Sequence, residues 1–312
     1  MSPRSRRAKD EAPGPSGFLV VDKPAGWTSH DVVDAARRWF GTQRVGHLGT
    51  LDPQATGVLP LAIRDATKLV SYVNADPKVY RGAIRLGIET DTLDGDGAVV
   101  ARHEGALPDE AAVREVLQTF LGEHEQVPPM YSAVKQGGVP LYRLARRGEE
   151  VERAPRKVRI DAFTLLSYAP PSLEVEVVCS PGTYVRVLAA EVGARLGCGG
   201  HLASLCRLRS GPFDLSQAVA PQALADEAER GEVAARLLRP VAALGMPALK
   251  LTHEDARRVL NGAALPQGGA VRAPGERVAA LDPTGALLAI LEVAPDRRLR
   301  PLRVLRRLAA RS

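Results

Sequence analysis

Apolar positions along this 312-residue chain recur with two different periods, and the switches between the two mark out its elements. Phe18 to Asp22 is a short apolar run with the signature of a buried strand, and Lys23-Pro24-Ala25-Gly26 turns the chain after it. Ser29 is placed as the N-cap of a helix through Phe40, whose apolar stripe is Val32, Val33, Ala36 and Trp39. Val58 to Ile63 reads as a second buried strand, and Asp65 opens a helix to about Val73. From Tyr80 onwards, Tyr80, Gly82, Ile84 and Leu86 alternate with Arg81, Ala83 and Arg85. That is the period of a half-buried strand, because successive side chains of a strand point to opposite faces. Asp94-Gly95-Asp96-Gly97 then turns the chain into a partner strand.

Ala111 to Leu121 is helical in pattern, and Ala154 to Ser167 and Leu173 to Cys179 read as strands, with a basic insertion over residues 126–152 in front of them. Thr183 to Leu196 carries Val185, Leu188, Ala189, Val192 and Leu196 at helical spacing, with Arg186 on the flank beside small Ala190 and Gly193. The small neighbours leave room for the guanidinium to reach across. After Pro240 the texture changes to short strands at Arg277 to Leu281, Leu287 to Val293 and Leu302 to Leu305, with one helix from His253 to about Asn261, which suggests a small barrel. Strands and helices mixed without βαβ regularity indicate an α+β fold.

Composition narrows the class without naming it. With 45% apolar and 25% charged residues the chain is globular, and it is long enough for one sizeable domain and a small one. No apolar run approaches the roughly eighteen residues of a membrane helix. The basic start lacks an apolar region after it, so residues 1–16 are expected to be a mobile tail and the location cytoplasmic. Cys179, Cys198 and Cys206 form no CxxC pair, the six histidines form no HExxH, and there is no P-loop or GxGxxG. Neither a metal nor a nucleotide cofactor is therefore expected. Ser132 to Lys135 has SxxK spacing without the companion motifs of an acyltransferase. Asp91, Asp94 and Asp96 lack the later Glu of a calcium loop and read as a hairpin turn.

Net charge is +6, and its distribution says more than its sum. Arg297, Arg298, Arg300, Arg303, Arg306, Arg307 and Arg311 crowd the last sixteen residues, and Arg143, Arg146, Arg147, Arg153, Arg156, Lys157 and Arg159 form a second cluster. Each is either a solvated face or a phosphate-binding surface, since clustered cations displace counterions from nucleic acid.

The segment from Val45 to Val70 is the best candidate for chemistry. Gly46, Gly49 and Gly57 allow tight bends, and Pro53 biases Asp52 towards an extended backbone, so that a rigid loop aims its carboxylate. An isolated Asp-Pro pair would only start a turn. Here His47, Gly49, Thr50, Leu51, Asp52, Pro53, Ala55, Thr56, Gly57 and Leu59 together resemble the signature of the TruB family, the bacterial tRNA pseudouridine-55 synthases. The resemblance recurs in order at Gly17 to Ser29, Lys78 to Gly97, Pro128 to Gly148 and Gly182 to Gly211. It is close from Gly17 to about Pro240 and looser beyond, where it is to a small PUA-type RNA-binding domain.

The resemblance implies a pseudouridine-synthase core with a central, mostly antiparallel mixed sheet over residues 17–240 and a PUA-like β-barrel over residues 241–312. It implies isomerisation of uridine 55 in the T-loop of tRNA, with the target base flipped into a pocket and no cofactor. Asp52 matches the nucleophile, Arg186 the arginine that pairs with it, and Tyr80 the tyrosine that stacks on the flipped base and helps remove the C5 proton. Tyr184 and Leu205 match pocket walls, His47 a support for the rearranged RNA, and Lys23 with Pro24 a turn that holds the loop or a phosphate. Taken alone, Tyr80, Tyr184 and Leu205 read as core residues, Arg186 as a surface helix arginine and His47 as a polar loop residue. The insertion should grip the T-arm directly, which argues against a guide-RNA-dependent enzyme. A monomer is expected, as is some help with tRNA folding. Arg143, Pro181 and Cys206 depart from the family pattern and leave individual RNA contacts open.

Overall fold

The computed structural model describes residues 14–132, 134–145, 147–149, 151–268 and 272–305. Strands run β1 Gly17–Lys23, β2 Val45–His47, β3 Thr56–Ile63, β4 Lys78–Leu86, β5 Ile88–Thr90, β6 Val99–Arg102, β7 Gly122–Gln126, β8 Lys135–Gln136 and β9 Val139–Pro140. They continue with β10 Arg156–Ala169, β11 Ser172–Cys179, β12 Gly200–Ser210 and β13 Phe213–Asp214, then β14 Ala248–Lys250, β15 Leu265–Pro266, β16 Arg277–Leu281, β17 Leu287–Val293 and β18 Arg298–Val304. The helices are α1 Ser29–Phe40, α2 Glu110–Gln118, α3 Leu141–Ala145, α4 Val185–Arg195, α5 Pro221–Glu229, α6 Pro240–Leu244 and α7 His253–Leu260.

Nine strands form the main sheet in the order β1-β3-β12-β4-β11-β10-β7, with β2 added to β3 and β13 to β12. Every pairing is antiparallel except β3 with β12, where Thr56 faces Cys206 and Gly57 faces Arg207. The mixed, mostly antiparallel sheet expected from the family resemblance is therefore present.

The apolar runs of β1 and β3 are continuous because both of their faces are covered. Leu19, Val21, Leu59 and Leu61 pack with Val32 and Val33 of α1 and with residues of α2 and α4 in one core. Phe18, Val20, Val58 and Ala62 point the other way, into a second core shared with Ala243 and Leu244 of α6 and with Ala279 and Ile290 of the second sheet. That sheet runs β14-β16-β17-β18-β15 and closes its own third core around Val259 of α7. Strand β4 keeps the expected alternation: Tyr80, Gly82, Ile84 and Leu86 are buried while Arg81 and Arg85 are exposed.

Several expectations need correction. Thr28, not Ser29, caps α1: its backbone is extended, its hydroxyl accepts from Asp31 N at 3.1 Å, and Thr28 N donates back to the Asp31 carboxylate at 2.8 Å. This reciprocal box satisfies amides that the first turn leaves without a partner, and it frees the Ser29 hydroxyl for the loop described below. The segment after β3 is a 3-10 run, Arg64–Tyr72, entered through Arg64 at φ 55°, rather than an α-helix opened by Asp65. Asp65 is instead a buried ion-pair centre for Arg44 and Lys68, at 2.7 and 3.0 Å. The turn at Asp94 does join two strands, but they are the separate pair β5 and β6. The last strand, β18, begins at Arg298 rather than Leu302.

Strand β12 has no counterpart in the sequence reading. Two register shifts against β4 break its alternation, one between Leu202 and Ser204 and one between Arg207 and Arg209. A bulge adds a residue to one strand and resets which face each side chain takes, so Leu202, Leu205 and Leu208 fall three apart and resemble a helix.

Candidate active site

Asp52 stands in the loop between β2 and β3, and nearly every backbone carbonyl of that loop is held from below. Lys78 Nζ lies 3.5 Å from the Leu48 carbonyl. Arg207 donates from Nη2 to Gly49 at 3.0 Å, from Nη1 to Thr50 at 3.3 Å and from Nε to Val58 at 2.7 Å. Ser29 Oγ accepts from Leu51 N at 2.8 Å and donates to the Leu51 carbonyl at 3.0 Å. Lys23 Nζ donates to the carbonyls of Pro53, Pro24 and Trp27, at 2.8, 2.9 and 2.6 Å. The Asp52 carbonyl itself accepts from Ala55 N at 3.1 Å. A carbonyl buried without a donor would cost the full desolvation of that group, so this set of donors fixes the loop in one conformation.

The donors are costly residues to bury. Lys23, Lys78 and Arg207 are 0%, 5% and 1% exposed, and burial lowers Lys23 to about 8 and Lys78 to about 7. An ammonium loses hydration when buried, which favours its neutral form. Two glycines admit the clamp. Gly49 has φ 123° and a Cβ there would meet Lys78 Nζ at 3.0 Å, while Gly57 has φ 93° and its Cβ would lie 2.3 Å from the Arg207 carbonyl.

Above the loop, Arg186 Nη2 lies 2.8 Å from Asp52 Oδ2, and Arg186 Nη1 lies 3.7 Å from Asp94 Oδ2. The Arg186 side chain is 4% exposed and the Asp52 side chain 43%, so Asp52 is the open half of the pair. Burial raises the Asp52 carboxyl above its ordinary value; Arg186 opposes the rise and Asp94 adds to it. Arg186 occupies the first turn of α4, whose N-cap Tyr184 has no side-chain cap. Gln126 at the end of β7 substitutes for one, accepting from Tyr184 N at 2.7 Å and donating to the Tyr184 carbonyl at 3.2 Å.

Two cavities meet at Asp52. The smaller, about 340 Å³, is lined by Asp52, Tyr80, Tyr184, Arg186, Leu205 and Lys78 among others. The larger, about 620 Å³, shares Asp52 and Leu205 and extends past Asp94, Arg81 and Glu174. The structure thus brings together five of the residues singled out from sequence, Asp52, Tyr80, Tyr184, Arg186 and Leu205. Lys23 lies beneath the loop instead. His47 ends β2 outside both linings, half-buried, with Nδ1 unpartnered; burial lowers its pKa, helped by Arg207 and His30.

Sequence reasoning missed Arg207, Lys78, Ser29, Gln126 and Asp94. Lys78 carried a legible signal: extending the Tyr80 alternation back by two residues puts a lysine on the buried face. Of the basic clusters, Arg143 and Arg147 are exposed, Arg159 is paired with Asp161 and Asp76 at 2.7 and 2.9 Å, and Arg300 with Asp296 at 2.8 Å. Arg146, Arg306, Arg307, Arg311 and residues 1–13 of the expected tail lie outside the described residues. Among the described residues no three His, Cys, Asp or Glu side chains converge as a metal cluster, and no helix is long and apolar enough to cross a membrane.

The family model for the N-terminal domain of TruB family pseudouridylate synthase matches residues 37–185, and that for the tRNA pseudouridylate synthase B C-terminal domain matches residues 186–244. A curated tRNA pseudouridine synthase B of Geobacter sulfurreducens is 47% identical over 79% of this chain and 81% of its own length. That of Symbiobacterium thermophilum is 48% identical over 83% and 86%, and that of Saccharophagus degradans 39% identical over 93% and 95%. Among solved structures, a chain of an H/ACA RNP bound to a substrate RNA containing 2′-deoxyuridine superposes with TM-score 0.71 at 23% identity, covering 95% of this chain and 86% of that one. A chain of an archaeal box H/ACA sRNP complex gives TM-score 0.67 at 25% identity over 92% and 85%.

Fold and relatives together define a pseudouridine synthase, an isomerase that acts on tRNA. The chain belongs to the TruB family.

Proposed function

We propose that the protein isomerises uridine 55 in the T-loop of tRNA to pseudouridine, with Asp52 as nucleophile. The observation that carries this reading is the Asp52–Arg186 pair at 2.8 Å on the wall of a cavity also lined by Tyr80, Tyr184 and Leu205. An ionised carboxylate attacks without cofactor help. The paired guanidinium favours that ionised form and orients it.

A uracil extruded into about 340 Å³ would find an aromatic face in Tyr80 and an apolar wall in Leu205. The N1 to C1′ bond breaks, the base turns, and C5 joins C1′, so no atom enters or leaves. The insertion between β7 and β10 would hold the T-arm through phosphate contacts, with no guide RNA. His47, at the mouth of the Asp52 loop, would support the rearranged strand. We assign residues 17–240 to the catalytic domain and residues 241–312 to a PUA-like RNA-binding domain, whose five-stranded sheet with α7 fits that reading. A cytoplasmic monomer follows from the same reading, and gripping an opened T-arm would also assist tRNA folding.

The test is release of tritium from tRNA transcripts labelled at uridine C5, with native protein, with Asp52→Asn, and with a transcript carrying cytidine at position 55. Release only with native protein and native transcript is expected, with tRNA binding retained by Asp52→Asn. Release by Asp52→Asn would remove Asp52 as nucleophile, and release from the cytidine transcript would move the target elsewhere.

A further inference from the structure

The smaller cavity contains one buried titratable side chain that the reading above leaves without a chemical task. Lys78 precedes Tyr80 by two residues on β4, so the two share a strand face, and both line the cavity. The Lys78 Nζ donates to Ser210 Oγ at 2.6 Å. Among the described residues its one other hydrogen-bond partner is the Leu48 carbonyl, at a long 3.5 Å. Among the described residues no carboxylate lies within ion-pair distance of it. The charged and titratable groups that face it are Arg207, which disfavours a second cation, and the Cys179 thiol, which burial pushes up to about 12 and so keeps protonated.

Burial, with Arg207 adding to it, brings Lys78 down to about 7, so near neutral pH a substantial share of the side chain is free amine. Tyr80 moves the opposite way: burial raises its pKa, against the pull of Arg207, and holds it as the neutral phenol. A neutral phenol is a weak base. The cavity therefore presents an aromatic platform and, two residues along the same strand, a competent proton acceptor.

We propose that the amine of Lys78 accepts the proton that leaves C5 during the isomerisation. The proposal rests on the reading that the target uracil enters this cavity. Once C5 is bonded to C1′, the ring holds an sp3 C5 with its hydrogen and an N1=C6 double bond. The C5–H bond breaks, its electron pair forms C5=C6, the N1=C6 pair takes a proton at N1, and Nζ becomes an ammonium. Returning that proton to solvent resets the amine, and no net proton is consumed.

The experiment compares single-turnover conversion of tRNA transcripts carrying either uridine or [5-²H]uridine at position 55, using native protein, Lys78→Met and Lys78→Arg. Both variants are expected to convert uridine about a hundredfold more slowly, with a larger deuterium isotope effect than the native protein shows. The isotope effect is a ratio within one preparation, so a misfolded fraction cancels from it. A slowed variant whose isotope effect matches the native value would overturn the proposal and leave Lys78 as a support of the Leu48 carbonyl. A native rate in Lys78→Met would overturn it as well. Failure of the native protein to convert the transcript would instead overturn the substrate reading, and the proposal with it.

Discussion

One guanidinium nitrogen of Arg186, Nη2, donates to the backbone carbonyl of Tyr131 at 2.9 Å while it pairs with Asp52 at 2.8 Å. Tyr131 lies within the insertion, so the segment assigned to gripping RNA and the proposed nucleophile share one donor group. A lysine keeps the charge but lacks the planar fork that serves several acceptors at fixed angles. Arg186→Lys is expected to lower single-turnover conversion about 100-fold while changing tRNA retention on filters little. Equal losses in both would assign Arg186 to docking rather than to orienting Asp52.

The pH dependence of conversion should expose the environment of Asp52. Its carboxyl is raised by burial, with Arg186 opposing and Asp94 adding to the rise. Acting as the proposed nucleophile, Asp52 must be ionised, so the rate is expected to fall as pH falls through a value above the ordinary one for an aspartate. Asp94→Asn removes the like charge and is expected to move this acid limb to lower pH. Single-turnover profiles of the two proteins check it, and an unmoved limb would show that Asp52 does not set it.

Lys23 and Lys78 make a claim about stability. Both have folded pKa values below the unfolded value of 10.5, at about 8 and about 7. Between those values and 10.5 the unfolded chain binds more protons than the folded one, so stability rises with pH across that window and is lost as pH falls through it. The urea midpoint is expected to be higher at about pH 9 than at about pH 7, with a smaller rise in Lys78→Met. A flat native profile would mean that the two amines remain hydrated in solution.

Gly57→Ala tests the contact between β3 and β12. The new Cβ would lie 2.3 Å from the Arg207 carbonyl on a backbone at φ 93°, and a loss of at least about 2 kcal/mol is expected. Gly245→Ala is the comparison: φ is 61° but nothing lies within 4 Å, so only the conformational strain of about 1 kcal/mol applies. Urea denaturation of both variants decides between steric and purely conformational cost.

What the sequence made legible follows from what its patterns encode. Strand β4 was readable because one of its faces is buried and the other wet, so polarity alternates along it. The β12 strand was not, since its bulges shift the phase and its most buried large side chain is an arginine. Asp52, Tyr80 and Arg186 could be named from local motifs, yet motifs are silent about what lies beneath them. Arg207, Lys78 and Ser29 act on backbone carbonyls, and a carbonyl leaves no trace in residue identity. Asp94 was read as a turn because its role depends on α4, almost a hundred residues further on, as its Arg186 neighbour at Thr92 illustrates with a separation of 94.

The parallel contact of β3 with β12 has a consequence for how the protein comes into being. Thr50 and Arg207, joined by a hydrogen bond, stand 157 residues apart, so this loop closes only after most of the chain has been made. A nascent chain ending at Cys179 would own Asp52 but neither Arg186, Leu205 nor Arg207. The arginine that pairs with the carboxylate, the arginine that braces its loop and the apolar wall of the cavity emerge together, within the last stretch of synthesis of the main sheet. On the ribosome, then, the site is withheld until the sheet around it can be completed.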